Sequence, residues 1–441
     1  VPGVERVTLF GLQYFLDRYL MDEFYEFFSG DVDIACKRYE RRMNGYLGPN
    51  NIGTDHIRAL HELGYLPLEI CAIPEGSDVP LRVPMLTITN THPDFGWLVN
   101  YMETLLSAQL WLPCTSATTA KHFRKRLDYW ARRTGTDQAF VDWQGHDFSF
   151  RGMSGVEAAA LSGAGHLISF TGTDTIPALD LIEDYYASSD FIGGSVAATE
   201  HSVMCAGGSE SEGETFDRLM DLYPSGILSV VSDTWDFWGV LTDILPARKD
   251  KILARDGKLV IRPDSGDPVK IVAGDPDAVP GTPEYYGAVE MLWKTFGGTT
   301  TDAGYKLLDS HIGVIYGDSI TYERGDQILA ELARKGFASG NVVFGIGSYT
   351  YQYVTRDTYG FAMKATWVQI NGEGMAIFKD PKTDNGLKKS AKGRLAVIND
   401  EVIDEATPEQ EAVSQLQPVW RNGEFVNRPL GFDEVRRNAR Q

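Results

Sequence analysis

Between residues 136 and 354 the chain repeats one rhythm seven times: a short apolar run, a polar turn carrying glycine or an acid, and in most cases a helical stretch. The runs are 140–143, 166–170, 195–198, 228–231, 258–261, 312–316 and 342–344, and the turns after them read QGHD, TGTD, TEH, SD, RPDSG, GDS and GIGS. Helical periodicity falls at 176–186, 214–222, 284–296 and 326–335, where Ile328, Leu329, Leu332 and Ala333 share a face. Alternating β and α units force a parallel sheet, because parallel neighbours need a crossover long enough to hold a helix. Seven such units predict an α/β fold with a closed or nearly closed β/α barrel. An open doubly wound sheet is the alternative, with its ligand at one switch point. In a barrel the chemistry sits where strands end, and the polar residues of these turns occupy that place.

The flanks have a different texture. Leu9, Leu12, Leu16 and Leu20 recur at helical spacing, and 25–43 reads as a second helix. Runs 66–73 and 81–88 flank a turn-rich segment and predict a hairpin. A helix is expected from 95 to about 133, interrupted near Pro113, with Lys121, Arg124, Lys125, Arg126, Arg132 and Arg133 on a solvated face. After 355 the pairs Asn371-Gly372 and Asn422-Gly423 separate β-favouring runs, the pattern of two hairpin turns. The stretch 379–394 reads as a loop. Because both ends combine hairpins with helices, residues 1–135 and 355–441 are expected to form one mixed α+β domain beside a catalytic domain at 136–354. No internal repeat or low-complexity tract interrupts this plan.

Composition removes several function classes. A formal net charge of −20 over 441 residues makes nucleic acid a poor partner. No apolar run reaches the roughly 18 to 20 residues of a membrane span, and no basic-then-apolar leader opens the sequence. Cys36, Cys71, Cys114 and Cys205 are widely spaced and form no CxxC motif, so zinc and a disulfide framework are not expected. A reducing cytoplasm is the expected setting. An anionic ligand would have to be held by local cations and backbone amides working against the overall field.

The turns supply such groups. Arg262, Asp264 and Ser265 in RPDSG place a cation, a carboxylate and a hydroxyl beside turn amides, a set suited to a phosphorylated sugar. A capping Asp264 paired with Arg262 is the equal structural alternative. Gly317-Asp318 and Gly345-Ile346-Gly347-Ser348 let backbone approach a ligand and cradle phosphate with amides. His201 follows Glu200, whose charge would raise its basicity, whereas His146 reads as a histidine hydrogen-bonded within its own loop. Phe148, Phe150 and Arg151 could stack a planar ring and clamp an anion, although packing is the commoner role of loop aromatics. Arg356, Lys364, Lys379 and the cluster Lys388, Lys389, Lys392 and Arg394 are the dense positive charge after the barrel segment. The abundant carboxylates suit a substrate-borne Mg2+.

Taken in order, GHDFSFRG (145–152), GTDT (172–175), ATEHS (198–202), SVVSD (229–233), IRPDSGDP (261–268), YGDS (316–319), FGIGS (344–348), TRD (355–357), FKDP (378–381) and KGRL (392–395) resemble the nicotinamide phosphoribosyltransferase family. The resemblance runs from GLQYFL near residue 11 to FDEVRRNA near the C-terminus. It implies an irregular type II phosphoribosyltransferase barrel with a second domain built from both chain ends, and a homodimer with shared active sites. The implied reaction joins nicotinamide to phosphoribosyl diphosphate, giving nicotinamide mononucleotide and diphosphate.

By the same resemblance Arg151, His201 and Arg262 bind diphosphate with Mg2+, and Asp264 faces the ribosyl cation. Asp233 belongs to the substrate site, Gly317 and Asp318 hold ribose hydroxyls, and amides at Gly347 and Ser348 take the 5-phosphate. Phe148 stacks on the pyridine ring, while Arg356, Lys364, Lys379 and Lys392 reach phosphates from the partner subunit. Asp174 in GTD accepts an amide N–H where the nicotinate enzymes resemble GTS. His201 matches a histidine that some members phosphorylate with ATP. Two departures stand out: Ser348 and Tyr349 replace a glycine run, and the family's N-terminal Asp-Ser-Tyr-Lys segment has no counterpart in these residues. The rival readings are a nicotinate phosphoribosyltransferase and a catalytically weak homologue with a binding or signalling role.

Overall fold

The computed structural model describes residues 3–188, 191–379 and 390–440. The chain divides into two compact units, one of Val1–Thr118, Leu181–Ser189 and Thr355–Gln441, the other of Thr119–Asp180 and Asp190–Val354. The first boundary falls inside the helix Gly96–Thr134, not at residue 135. That helix runs through Pro113 without the expected interruption. Hydroxyls of Thr115 and Thr118 bond the carbonyls of Trp111 and Cys114 at 2.6 and 2.7 Å, beside the turn that the proline deprives of a donor.

The second unit is built on seven strands: β1 (Gly145–Asp147), β2 (Gly172–Thr173), β3 (Ala197–Ala198), β4 (Ser225–Val231), β5 (Asp256–Arg262), β6 (Ile312–Tyr316) and β7 (Val342–Ile346). They form one parallel sheet in the order β2-β1-β7-β6-β5-β4-β3. The sheet curls. Gly172 in β2 makes a parallel bridge to Gly194, three residues before β3 at the other edge, through Thr173 N to Gly194 O (3.0 Å) and Gly194 N to Thr171 O (2.9 Å). A barrel-like arrangement, rather than an open doubly wound sheet, is thus what the rhythm of apolar runs encodes. All five residues of β6 are buried, as strands covered on both faces require. Leu228, Val230, Leu259, Ile261 and Phe344 pack with Phe216, Leu245, Val289, Leu292, Ile328 and Leu332 from the surrounding helices. Each such side chain contributes about 1.5–3 kcal/mol of burial.

Two runs taken for strands are helical. Residues 140–143 lie in the helix Gln138–Gln144, whose first turn is capped by Asp137 accepting from Ala139 N at 3.0 Å. The run 166–170 begins in the last turn of Val156–Leu167. A short buried apolar run fits either element, and here each strand starts two residues after its run ends. The basic face of the long helix is partly paired. Arg124 meets Asp128 (3.0 Å) and Asp142 (2.6 Å), and Arg126 meets Asp326 (2.5 Å), which also accepts from Trp130 Nε1 (2.7 Å).

In the first unit both chain ends share a four-stranded antiparallel sheet, with Gln417–Arg421 between Leu68–Ala72 and the short strand Glu424–Phe425, and Leu86–Asn90 at the far edge. The expected 66–73/81–88 hairpin forms only in part. Asp78–Pro80 pairs instead with Arg6–Thr8, and a positive φ of 72° at Arg82 separates it from the next strand. The predicted 25–43 helix is two helices, Glu23–Ser29 and Val32–Leu47, because Asp31 starts a new one by accepting from Asp33 N and Ile34 N. Both Asn-Gly pairs form turns with positive φ at each residue. Most of the loop expected at 379–394 lies outside the described residues.

Candidate active site

Glycines at the ends of the central strands make room for one ring. A Cβ on Gly345 would lie 2.2 Å from Phe148 Cδ2, and one on Gly317 would lie 2.6 Å from the same edge. Phe148 is held there by its own N–H, which donates to Ile346 O at 3.0 Å, and the Arg262 guanidinium lies 5.7 Å from the ring centroid. A cavity of about 480 Å³ opens over this ring, lined entirely from the second unit. Its wall contains Phe148, Arg151, Asp174, Arg262, Asp264, Gly317, Asp318, Gly347 and Ser348, so nine of the residues singled out on sequence converge.

At one end lies the turn after β2. Asp174 Oδ1 accepts from His146 Nε2 at 2.8 Å and from Ser195 Oγ at 2.5 Å. Burial alone would raise the Asp174 carboxyl, but the bond and charge of His146, with Ser195 and Arg262, hold it below the usual range. Beneath this turn His166, fully buried, donates from Nε2 to Gly172 O (3.0 Å) and accepts at Nδ1 from the Tyr351 hydroxyl (2.7 Å). Burial pushes His166 down to about 4, so this bridge between the β2 turn and the β7 helix is neutral. At the other end, Thr350 and Tyr351 make the first helical bonds to Gly347 O, which leaves the amides of the Gly347–Tyr349 turn facing an anion-compatible terminus. Gly152 lets the Arg151 turn approach Ser348, whose Cβ and Oγ would be 2.5 Å from an added methyl.

Between the ends sit three carboxylates. Asp233 Oδ2 accepts from Asp264 N (2.9 Å) and Ser265 Oγ (2.5 Å), while its Oδ1 is buried with no hydrogen-bond partner among the described residues. Asp264 is raised, first by burial and then by Asp233 and Asp318, with Arg262 opposing. His201 Nε2 stands 3.9 Å from both Asp233 Oδ1 and Asp264 Oδ2, and its Nδ1 is 3.2 Å from Thr234 Oγ1. Arg262 is 6% exposed and its Nε has no partner among the described residues, an orphaned donor beside the cavity. The arrangement offers an acceptor for an N–H, a ring platform, and cations with amides for an anion around one cavity.

Residues 143–424 match the nicotinate phosphoribosyltransferase (NAPRTase) family. The chain belongs to that family. A nicotinamide phosphoribosyltransferase of Acinetobacter baylyi is 52% identical over 449 residues, covering 99% of this chain and 89% of that protein. Proteins of the same name from Mycoplasma pneumoniae (40% identical, 75% of this chain, 71% of that one) and Xanthomonas campestris (35%, 85% and 79%) are also similar. In fold, the chain resembles the nicotinate-nucleotide pyrophosphorylase of Pyrococcus furiosus (TM-score 0.53, 17% identity, 96% of each chain) and human nicotinic acid phosphoribosyltransferase (0.53, 16%, 99% and 86%). The irregular α/β barrel is therefore the architecture of type II phosphoribosyltransferases.

Within this family fold some expected site residues take other places. Asp233 is held by its Oδ2 on the Asp264 turn, while its Oδ1 stands 3.9 Å from His201 Nε2. The carboxylates within ion-pair range of His201 are Asp233 and Asp264, while Glu200, its sequence neighbour, lines the cavity. Arg356, Lys364, Lys379 and Lys392 belong to the first unit, where Arg356 contacts Asp357 (3.4 Å), Lys392 pairs with Glu405 (2.7 Å), and Lys364 and Lys379 are exposed. His146 bonds across to the next strand's turn and not within its own loop. Ser195, Ser319 and the His166 bridge were not singled out on sequence. Ser195 and Ser319 follow the same strand-end rule as their neighbours, but nothing local marks His166.

Proposed function

We propose that this chain catalyses transfer of the 5-phosphoribosyl group from phosphoribosyl diphosphate to the ring nitrogen of nicotinamide, releasing diphosphate. The carrying observation is Asp174, an anchored carboxylate on the wall of a cavity that Arg151, Arg262 and the Gly347 turn also line. A carboxylate is an acceptor only, so it takes an N–H from a carboxamide and repels the carboxylate of nicotinate. The name shared by three relatives points the same way.

In this reading the pyridine ring stacks on Phe148 with its amide at Asp174, which aims the ring nitrogen at the anomeric carbon. Arg151 and the unpartnered Nε of Arg262 hold the diphosphate as the C1–O bond breaks and the N–C1 bond forms. Asp264 lies on the ribosyl side and stabilises the developing oxocarbenium charge. Gly317 and Asp318 orient the ribose hydroxyls, and the Gly347 and Ser348 amides take the 5-phosphate. The hard oxygen donors Asp233, Asp264 and Asp318 suit Mg2+ carried in by the diphosphate, which neutralises charge on the leaving group. His201, poised between Asp233 and Asp264, is the residue that ATP would phosphorylate if the reaction is driven that way. Arg356, Lys364, Lys379 and Lys392 are assigned to phosphates of a neighbouring active site in a homodimer. No described helix is long and apolar enough to cross a membrane, and NAD salvage in the cytoplasm is the setting proposed.

The test is diphosphate release from phosphoribosyl diphosphate and Mg2+ with nicotinamide or with nicotinate. Release with nicotinamide alone is expected. Release with nicotinate alone would reassign the substrate, and release with neither would remove the enzyme reading.

A further inference from the structure

His146 is 8% exposed and sits where the sequence suggested only a loop contact. Its Nε2 reaches Asp174 Oδ1 at 2.8 Å, and the Ser195 hydroxyl reaches the same oxygen at 2.5 Å. Both hydrogen bonds on the Asp174 side chain therefore fall on Oδ1, which leaves Oδ2 for the cavity. The acceptor requirement fixes the tautomer, because a carboxylate must receive a proton from Nε2. The ring cannot slide backwards or sideways. A Cβ on Gly172 would lie 2.5 Å from Nδ1, so the backbone of β2 closes one side, and the Phe148 ring stands edge-on with centroids 5.1 Å apart.

We propose that His146 is a positioning residue for substrate selection: by occupying Asp174 Oδ1 it fixes the carboxylate with Oδ2 turned to the ring substituent. The proposal rests on the reading that Asp174 meets the amide. The Asp174 side chain is 46% exposed, so without His146 its carboxylate keeps the Ser195 hydroxyl as its one hydrogen-bond anchor among the described residues and is free to turn about that single contact toward solvent. A mobile carboxylate still repels an anion weakly, but it no longer rewards an amide N–H in one geometry. The lowered Asp174 carboxyl agrees, because the hydrogen bond and charge of His146, with Ser195 and Arg262, outweigh the opposing effect of burial. His146 also touches Phe148, so one side chain sets both the platform and the acceptor.

The experiment compares kcat and KM for nicotinamide and nicotinate in His146→Leu, which keeps volume and removes the donor, in His146→Gln, which keeps an N–H, and in Asp174→Ser. Loss of a hydrogen bond to a charged group is expected to lower the nicotinamide-to-nicotinate ratio of kcat/KM in His146→Leu by roughly tenfold to a hundredfold. The loss should appear in KM for nicotinamide, with KM for phosphoribosyl diphosphate within about twofold of the parent, and His146→Gln should recover most of it. Unchanged selectivity in His146→Leu, with selectivity lost in Asp174→Ser, overturns this proposal and leaves the Asp174 reading standing. Equal losses in the leucine and glutamine chains also overturn it, since shape and not the donor would then matter. Unchanged selectivity in Asp174→Ser overturns both. Should the leucine chain not fold, Gly172→Ala displaces the ring instead, and retained selectivity there overturns the proposal.

Discussion

Replacing Gly345 by alanine puts one methyl group into the place occupied by the Phe148 ring. The added Cβ would stand 2.2 Å from Phe148 Cδ2, 2.5 Å from Cε2 and 2.7 Å from Gly317 Cα. Ordinary contact begins near 3.4 Å, so the ring must retreat by about 1.2 Å or the strands must separate. Strand separation is resisted, because β7 pairs with both β1 and β6. Overpacking of this kind costs about 1–3 kcal/mol of stability. The catalytic cost is larger in kind, since a displacement of about 1 Å in a positioning group lowers turnover by on the order of a hundredfold. The effect should fall on kcat/KM for nicotinamide, whose ring is proposed to rest on Phe148, more than on KM for phosphoribosyl diphosphate. Steady-state kinetics of diphosphate release, alongside thermal melting, separate the two costs. Gly45→Ala controls for the methyl itself. Gly45 lies in the helix Val32–Leu47 with open space around its Cβ, so alanine there should stabilise by about 0.5–1 kcal/mol. Parental kinetics in Gly345→Ala would refute the placement of Phe148 as the ring platform.

Asp174→Ser should reduce the nicotinamide-to-nicotinate preference by roughly a hundredfold or more, because a hydroxyl neither repels a carboxylate nor singles out an amide. Unchanged discrimination in competition kinetics would sink the assignment. Incubation with ATP should place a phosphoramidate on His201 that is absent in His201→Ala; an unlabelled parent protein would remove ATP from the mechanism. Glu75, fully buried, accepts from Gly11 N (3.0 Å), Gln13 N (2.5 Å) and the Tyr186 hydroxyl (2.8 Å), yet burial pushes it from 4.5 up to about 7. A raised carboxyl favours the protonated fold. Its contribution is therefore full below pH 4.5 and is lost as pH climbs to about 7, a change of roughly 3 kcal/mol. Denaturant unfolding at several pH values should show that slope in the parent and not in Glu75→Gln, and identical slopes would contradict it.

The strand ends were legible and the strands only partly so. Long runs such as 312–316 show as strands because a parallel strand covered on both faces is apolar throughout. Strands β2 and β3 have two residues each, too few for any period to register. Their turns were still found, since glycine and acids punctuate the chain whatever precedes them. The same limit explains why 140–143 and 166–170 were misread as strands. What sequence could not carry was non-local pairing. His146 and Asp174 are 28 residues apart, and His166 and Tyr351 are 185 apart. Asp233 is assigned to the substrate site from its motif, and the bonds of its Oδ2 to the backbone and hydroxyl of the next strand's turn, 31 and 32 residues on, are non-local in the same way.

Charge at the cavity sharpens the meaning of the acidic total. Asp174, Glu200, Asp264 and Asp318 line it against Arg151 and Arg262, so the wall itself has more acids than bases. A ligand carrying several phosphate charges would be repelled by these side chains taken as a sum. Binding then depends on placement: Arg262 presents a buried donor with nothing else to satisfy, and amides of the Gly347 turn add dipoles without adding net charge. It also depends on cations that this wall does not own. A divalent ion on the diphosphate, as proposed above, would convert the Asp264 and Asp318 carboxylates from repulsive to attractive neighbours, and cationic side chains supplied by a second subunit would do the rest. On this reasoning the acids are not an obstacle to phosphate binding. If Mg2+ accompanies the diphosphate as proposed, they would make binding conditional on the metal, so that phosphoribosyl diphosphate without Mg2+ would be rejected by the same residues that orient it with Mg2+.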